Sequence, residues 1–473
     1  MISGGKLTDG KFMNRKVADQ SVGDRYQFVR ATGLASLLLV ASLFLTSKPA
    51  AAKPAKKKPA PAARVDALIV GGVDQYNGPM ASAEAFNANA GTFSCVGGLN
   101  SSTGLCNNTL VQPRFFAAVA ALPGGEVLIA GGNGNAGQDG TACLNSAETF
   151  NPVARSFTTV GSMTDAHCFA TTAILGNGEV LVTGGEDETG NLINTADMYN
   201  PASGKFDCSR LGGADQTTGY CLSTMTDSRF LDTATTLADG RVLIAGGNDG
   251  SIVKTAEIFD PASGTFGCSS LGGADPKTGF CNNTMTDSRQ NHTATLLVTG
   301  RNGGDVLIAG GLDAAGAVLQ TAELFSPSSG TFVCVNGAAP GPSGCPLQMT
   351  HARYLHTATF LDPKYVKGRL RGDILITGGE DAQGNALATA EVYDPVAKTF
   401  KPVGTMTTSR ALHSATLIAS GSHKGWVLIA GGIDDAGNSL KSTELFNPQT
   451  GTFVAVGAMN LARSSASSAG QVP

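Results

Sequence analysis

Short runs of β-branched and aliphatic residues recur along the chain, and each run ends in two consecutive glycines. Val127-Leu-Ile-Ala130 and Val242-Leu-Ile-Ala245 are two of these runs. A run of about four apolar residues that ends in glycine is typical of a short buried strand. Successive glycine pairs are 53 to 68 residues apart, and a repeat of this size predicts a propeller or a solenoid. The pairs are Gly71-Gly72, Gly131-Gly132, Gly184-Gly185, Gly246-Gly247, Gly310-Gly311, Gly378-Gly379 and Gly431-Gly432.

One complete unit contains four candidate strands. The first is His292-Thr-Ala-Thr-Leu-Leu297, which follows Met285-Thr-Asp-Ser-Arg289, and the second is Asp305-Val-Leu-Ile-Ala309. The third, Thr321-Ala-Glu-Leu-Phe325, carries an acid near its start, and Pro327-Ser-Ser-Gly-Thr-Phe332 turns into the fourth. Proline and glycine supply the backbone angles that a tight turn requires. Four short antiparallel strands make one blade of a propeller.

This unit resembles the kelch repeat. The resemblance extends from about residue 66 to about residue 469, because all seven units contain the double glycine and the acid. It implies an all-β fold, a seven-bladed β-propeller of four-stranded blades, similar to the central propeller domain of galactose oxidase. The family often has Trp in the last strand, whereas this chain has Phe93, Phe157, Phe206, Phe266, Phe332, Phe400 and Phe453.

The first unit begins at its second strand, Asp66-Ala-Leu-Ile-Val-Gly-Gly72, with no inner strand before it in the pattern. Near the other end, Met459-Asn-Leu-Ala-Arg463 matches the Met-x-x-x-Arg that precedes inner strands elsewhere, and residues 464–469 have the length of a strand. We therefore expect this C-terminal segment to pair into blade one, which removes the strand edges that an open sheet exposes.

A basic residue stands just before each inner strand, and an acid stands early in each third strand. In blade three both side chains are shorter than in the other blades, with His167 in place of Arg and Asp197 in place of Glu. This paired shortening is expected if the two side chains touch. Because a function rarely needs seven copies of one pair, we interpret them as structural ion pairs. The pairs are Arg463 with Glu84, Arg114 with Glu148, His167 with Asp197, Arg229 with Glu257, Arg289 with Glu323, Arg353 with Glu391 and Arg410 with Glu444.

The ten cysteines are consistent with disulfides in an oxidising compartment. Four pairs bracket Gly-rich insertions between the last strand of one blade and the first of the next. Cys143 and Cys168 remain, and their connections emerge on the same face of neighbouring blades, so we expect a fifth bridge. Metal binding is the alternative, but Cys-x-x-Cys spacing is absent. The four local pairs are Cys95 with Cys106, Cys208 with Cys221, Cys268 with Cys281, and Cys334 with Cys345.

The N-terminal 52 residues have the organisation of a signal peptide, with a basic leader, an apolar core from Gly33 to Leu45 and small residues at Ala50-Ala-Ala52. The core is short for a transmembrane helix, which needs about 20 apolar residues. We predict a signal peptide at 1–52, with an uncleaved anchor as the alternative, and a Lys/Pro/Ala-rich linker at 53–65. The propeller then occupies 66–469, residues 470–473 form a tail, and the protein is secreted, periplasmic or on the cell surface.

The N-terminal 64 residues and the rest of the chain carry net charges of opposite sign. Residues 1–64 hold 12 Lys/Arg and 3 Asp/Glu, which leaves 21 basic and 34 acidic residues in the remainder. An acidic propeller is a poor match for a phosphate backbone, so nucleic acid is not an expected partner.

Two sets of side chains are candidates for chemistry. Six acids follow the glycine pairs by two residues, and each is expected to cap its own turn; the alternative is a ring of carboxylates around a funnel, suited to a cation or a polyhydroxylated ligand. Three histidines occupy equivalent positions of adjacent inner strands, and we interpret them as part of the scaffold and not as metal ligands. The acids are Asp74, Asp187, Asp249, Asp313, Asp381 and Asp434, and the histidines are His292, His356 and His413.

Galactose-oxidase chemistry requires two Tyr and two His around copper, and the 7 tyrosines show no matching cluster. By analogy with the fold, we expect an exported, non-catalytic propeller that binds a protein or carbohydrate ligand through its loop-rich face. The alternatives are a carbohydrate-active or galactose-oxidase-like enzyme and a structural component of the cell envelope. We expect a monomer without a cofactor, although a structural cation such as calcium is compatible with the pattern.

Overall fold

The computed structural model describes residues 65–76, 78–107, 109–134, 143–298, 303–336, 345 and 348–470. The predicted signal peptide, the predicted linker up to residue 64 and residues 471–473 lie outside these ranges. The described residues form strands and turns, and they contain no helix long and apolar enough to cross a membrane.

The strands of the described residues assemble into seven antiparallel sheets, which we call blades one to seven. Blade one contains β1 (Ala67–Val70), β2 (Ala83–Asn87), β3 (Thr92–Cys95) and the last strand of the chain, β28 (Ser467–Gly470). Blade two contains β4 (Ala118–Ala121), β5 (Val127–Ala130), β6 (Ala147–Asn151) and β7 (Ser156–Thr159). Blade three contains β8 (Thr171–Ile174), β9 (Val180–Thr183), β10 (Ala196–Asn200) and β11 (Lys205–Asp207).

The other four blades repeat this arrangement. Blade four contains β12 (Thr233–Thr236), β13 (Val242–Ala245), β14 (Ala256–Asp260) and β15 (Thr265–Gly267). Blade five contains β16 (Thr293–Leu296), β17 (Val306–Ala309), β18 (Ala322–Ser326) and β19 (Thr331–Cys334). Blade six contains β20 (Thr357–Phe360), β21 (Ile374–Thr377), β22 (Ala390–Asp394) and β23 (Thr399–Pro402). Blade seven contains β24 (Ser414–Leu417), β25 (Val427–Ala430), β26 (Thr443–Asn447) and β27 (Thr452–Ala455).

The inner strands of successive blades contact one another in a closed ring, from β4 through β8, β12, β16, β20 and β24 to β28 and back to β4. The all-β, seven-bladed β-propeller predicted from the repeat is therefore confirmed. Its axis runs through the ring of inner strands, where the seven blades meet.

The second strand of each blade is buried along its whole length because it packs against both neighbouring blades. In β13, Leu243 and Ala245 pack with Val306 of blade five, whereas Val242 packs with Leu181 of blade three. A strand covered on both faces is continuously apolar instead of alternating. The Val-Leu-Ile-Ala runs in the sequence follow from this double burial.

The Phe in the last strand of each blade lies directly opposite an aromatic residue of the third strand. The ring centroids are 4.9 to 5.1 Å apart, a distance at which tilted rings attract each other. These cross-strand pairs attach the outermost strand to its blade. They are Phe86 with Phe93, Phe150 with Phe157, Tyr199 with Phe206, Phe259 with Phe266, Phe325 with Phe332, Tyr393 with Phe400, and Phe446 with Phe453.

Strand β28 closes the ring, as predicted. It pairs antiparallel with β1, with Ala67 opposite Gly470 and Val70 opposite Ser467. The strand begins three residues later than predicted, because Ser464 forms an isolated bridge to Val73 and Ser465 has a left-handed backbone conformation.

The single tryptophan lies at the interface where the ring closes. Trp426 packs on a cluster that combines Leu428 and Ala430 of blade seven with Ala67 and Ile69 of blade one. This interface therefore has an apolar core of the same kind as the interfaces between the other blades.

The glycine pairs are required by the close approach of the next blade. Gly378 and Gly379 have φ values of 61° and 94°, which favour glycine. A Cβ atom on Gly378 would lie 2.4 Å from the carbonyl oxygen of Arg410 in blade seven, and the N–H of Gly379 donates a hydrogen bond to that oxygen at 3.0 Å. The pair thus allows one blade to bind the backbone of the next.

All five predicted disulfides are present, with Cα–Cα distances of 4.9 to 5.2 Å. Cys143 and Cys168 link blade two to blade three, and no described cysteine is free. In the chain-entropy model, each local bridge stabilises its insertion by about 3 kcal/mol.

Mass spectrometry of non-reduced peptides should recover the four local links and the Cys143–Cys168 link, with no free thiol in protein purified without reductant. The physical reason is that each pair is already within bonding geometry in the folded chain. Digestion after full reduction is the control, because it should release all ten cysteines. Alkylation of Cys143 and Cys168 without reductant would contradict the bridge between blades two and three.

Candidate ligand site at the propeller axis

Each inner strand is preceded by a residue with a left-handed backbone. The φ values lie between 48° and 56°, although none of these residues is glycine. A left-handed conformation is uncommon for residues other than glycine, especially bulky ones. We call this set the axial ring: Phe116, Phe169, Leu231, Asn291, Leu355, Leu412 and Ser465.

Backbone hydrogen bonds link the axial ring from blade to blade. The N–H of Leu355 donates to the carbonyl oxygen of Asn291 at 3.2 Å, and the N–H of Leu412 donates to that of Leu355 at 3.2 Å. Matching bonds join Asn291 to Leu231, Ser465 to Leu412 and Phe116 to Ser465. These bonds hold the strained residues in place around the axis.

A cavity of about 300 Å³ lies within the axial ring. This volume is at the lower end of the range of small-molecule sites. Besides the ring, the cavity is lined by Ser467 and by the residue that follows each ring member: Ala117, Ala170, Asp232, His292, His356, His413 and Ala466. The site is therefore built from one equivalent dipeptide of every blade.

The three histidines hold neighbouring inner strands together. The Nε2 atom of His292 lies 3.1 Å from Thr233 Oγ1, and that of His356 lies 3.0 Å from Thr293 Oγ1, in each case on the preceding blade. His413 makes the equivalent contact with Thr357 at 2.9 Å. Burial lowers the pKa of His292 and His413 to about 3 and that of His356 well below its ordinary value, so all three are neutral at pH 7.

Asp232 stands where the other blades have alanine or histidine. The residue is 9% exposed, and neither carboxylate oxygen accepts a hydrogen bond from another described residue. Burial raises the pKa of Asp232 to about 7, in opposition to the nearby charge of Arg229. Within the described part of the chain, the Nδ2 atom of Asn291 and the Oγ atom of Ser465 are also buried without partners. Most buried polar atoms in proteins are hydrogen-bonded, so this group requires an explanation.

Aromatic rings form one wall of the site. The rings of Phe116 and Phe169 line the cavity with centroids 5.1 Å apart, and Phe230 lies edge-on to Phe169 at 6.2 Å. Phe169 belongs to blade three and Asp232 to blade four. The aromatic wall therefore adjoins the buried carboxyl.

The six acids that follow the glycine pairs, which we call the loop acids, each accept hydrogen bonds from the backbone of their own turn. In each case Oδ1 accepts a hydrogen bond from the backbone N–H two residues later, as Asp381 does from Gln383 at 2.9 Å. Asp381 also accepts from the backbone and the side chain of Asn385. The other five donors are the N–H groups of Tyr76, Thr189, Ser251, Ala315 and Ala436.

The base and the acid lie within hydrogen-bond distance in every blade. The closest N–O distances run from 2.8 Å for Arg289 and Glu323 to 3.3 Å for Arg114 and Glu148, and in blade three His167 lies 3.2 Å from Asp197. Both side chains are at least 98% buried in all seven pairs. None of these residues lines the axial cavity.

One group of three described side chains brings potential metal ligands within 4.8 Å of one another, namely Glu84 with Cys95 and Cys106. The two sulfur atoms form a disulfide, so they are not thiolate ligands. The cavity histidines are not part of such a group in the described residues.

Sequence reasoning did not identify Asp232 as a site residue, although a signal was available. Asp232 follows the base Arg229 by three residues, and the same spacing from the base leads to His292, His356 and His413 in blades five to seven. An acid in that column is therefore an exception within the repeat. The axial ring left no such signal, because its Phe and Leu residues do not indicate a left-handed backbone.

A family model for the Kelch motif matches residues 368–407, which include the glycine pair, third strand and fourth strand of blade six. A search among curated proteins finds no significant match. With seven blades that repeat the matched unit, the chain is a kelch-repeat β-propeller.

Proposed function

We propose that this protein is an exported, non-catalytic binding propeller that takes its ligand in the axial cavity, on the face where the inner strands begin. Kelch propellers generally mediate binding to other proteins. The observation that carries the proposal is the set of buried polar atoms without partners around a cavity of ligand size. A ligand that hydrogen-bonds to Asp232, Asn291 and Ser465 would satisfy them.

The side chains of the cavity favour binding over catalysis. Hydrolysis of a glycosidic bond ordinarily uses two carboxyl groups, and Asp232 supplies the single carboxyl among the described lining residues. The pKa of Asp232, about 7, suits a general base, but burial lowers the pKa values of the three histidines so far that none of them is a protonated acid partner at neutral pH.

Export is supported by the cysteines. Five disulfides are consistent with an extracellular location, because cytosolic proteins keep their thiols reduced. The predicted signal peptide lies outside the described residues and agrees with this location.

The proposal can be tested by filling the cavity. Ser465→Phe and Asn291→Phe introduce the residue that blades two and three already carry at this position, so the fold should tolerate them. Ligand-observed NMR with panels of neutral oligosaccharides, organic amines and organic acids should detect one class that binds the unmodified protein and binds each variant at least about tenfold more weakly. The matched control, Val396→Phe, adds the same ring on a side chain that is 72% exposed and lies outside the cavity.

Equal binding to the unmodified protein and to both filled variants would overturn the proposal. The rival location is the set of loop acids, which Asp313→Asn and Asp381→Asn test directly. Loss of binding in those two variants alone would move the site from the axis to the loops.

A further inference from the structure

The charge of the axial cavity comes from one residue. Among the described residues that line the cavity, Asp232 is the sole acid, none is lysine or arginine, and the three histidines are neutral. The remaining lining residues are Phe, Leu, Ala, Asn and Ser. An ionised Asp232 therefore gives the cavity a net negative charge.

Asp232 does not perform the scaffold role of its equivalents. His292, His356 and His413 each reach a threonine on the preceding blade, and Thr171 occupies the equivalent position on the blade before Asp232. The backbone N–H of Ala234 donates a hydrogen bond to the hydroxyl of Thr171 at 2.9 Å. The carboxyl of Asp232 makes no hydrogen bond to it.

The nearby arginine is already neutralised. Arg229 Nη2 lies 2.9 Å from Asp227 Oδ2 and 3.1 Å from Glu257 Oε1, so two carboxylates face one guanidinium. Its Nη1 donates to the carbonyl oxygen of Gly246. Arg229 therefore leaves the charge of Asp232 without a partner of its own.

The wall next to Asp232 suits an organic cation. Aromatic rings attract ammonium groups through their π faces, and Phe169 and Phe116 line the cavity on the two blades preceding that of Asp232. A divalent metal is a poorer match, because calcium takes six to eight oxygen ligands and the cavity offers a single carboxyl.

We propose that the axial cavity binds an alkylammonium group, with Asp232 as the counter-ion and the Phe116–Phe169 wall beside it. This inference rests on the proposed function and names the class of ligand. The ammonium group belongs either to a small amine or to a lysine side chain that a partner protein inserts along the axis. Burial without a partner keeps the pKa of Asp232 high, and a bound cation would favour the ionised form.

The test compares n-butylammonium with its uncharged analogue n-butanol by isothermal titration calorimetry at pH 8. Asp232→His is the matched variant, because blades five to seven carry histidine at this position. Asp232→Asn is a second variant that keeps the size of the side chain. We expect n-butylammonium to bind at least about tenfold more weakly to both variants, and n-butanol to bind all three proteins equally.

A capped pentapeptide with a central lysine, compared with its norleucine counterpart, distinguishes the two sources of the cation. Asp232-dependent binding of the lysine peptide would indicate a protein partner, and binding of n-butylammonium alone would indicate a small amine. Equal binding of n-butylammonium to the unmodified protein, Asp232→His and Asp232→Asn would overturn the inference.

Comparison of the Asp232 variants with the cavity-filling variants separates this inference from the proposed function. If a neutral oligosaccharide binds Asp232→Asn but not Ser465→Phe, the ligand is not an alkylammonium group, and the axial cavity is still the binding site. Amine binding that survives in both Ser465→Phe and Asn291→Phe would refute the axial site itself.

Discussion

Truncation after Asn460 should lower the free energy of unfolding by at least about 5 kcal/mol, the largest effect we expect. The deletion removes β28 and leaves the edge of β1 unpaired. It also removes Arg463, whose Nη2 lies 3.1 Å from Glu84 Oε1 in a pair with both side chains fully buried. An unpaired buried charge alone costs about 3–5 kcal/mol. Urea denaturation followed by circular dichroism measures the loss.

Two controls separate the contributions. Truncation after Gly470 removes residues outside the described structure and should melt like the full chain. Arg463→Met retains the strand and loses the ion pair, so its stability should fall between the two truncated proteins. Equal stability of the full chain and the chain ending at Asn460 would refute the role of β28 in closing the ring.

Arg353→Met should destabilise the protein by about 3–5 kcal/mol, because it leaves Glu391 charged and buried without its partner. Arg353 Nη2 lies 3.0 Å from Glu391 Oε1, and both side chains are fully buried. Arg353 Nη1 also donates to the carbonyl oxygen of Gly378 at 2.6 Å. The double variant with Glu391→Gln should lose less than the sum of the single changes, with a coupling of about 0.5–3 kcal/mol in a double-mutant cycle measured by urea denaturation.

The matched control is the same cycle across blades. Arg353 and Glu257 belong to blades six and four, so their substitutions should be additive. Additivity within blade six as well would show that the contact between Arg353 and Glu391 contributes nothing to stability. The replacement of both Arg and Glu by the shorter His167 and Asp197 in blade three would then need another explanation.

The repeat made the fold predictable because equivalent positions of the seven blades can be compared with one another. The glycine pairs and the third-strand acids predicted the blades, the Met-x-x-x-Arg match near the C-terminus predicted the ring closure, and the cysteine spacings predicted the five bridges. The bounds of single strands were less predictable. For β28, Ser464 and Ser465 resemble strand residues in sequence, but their backbone is used in the turn that enters the axial ring.

The axial cavity was not predictable in the same way, because it exists only when seven blades meet. A sequence shows Asp232 beside Phe230 and Leu231, but not that its carboxyl lies opposite residues of distant blades. The loop acids attracted attention because they repeat, and repetition in a propeller indicates scaffold. Within the proposed site, Asp232 is the residue that departs from the repeat.

The position of Trp426 gives the protein an intrinsic optical reporter. Trp426 packs between blade seven and blade one, and it is the single tryptophan of the chain. All tryptophan fluorescence of the protein therefore comes from the closing interface. The indole is partly buried in the closed ring, so separation of the two blades would expose it further to water and shift its emission to longer wavelength. Stopped-flow fluorescence of the unmodified protein can thus time the opening of the ring, while circular dichroism follows the loss of the blades themselves.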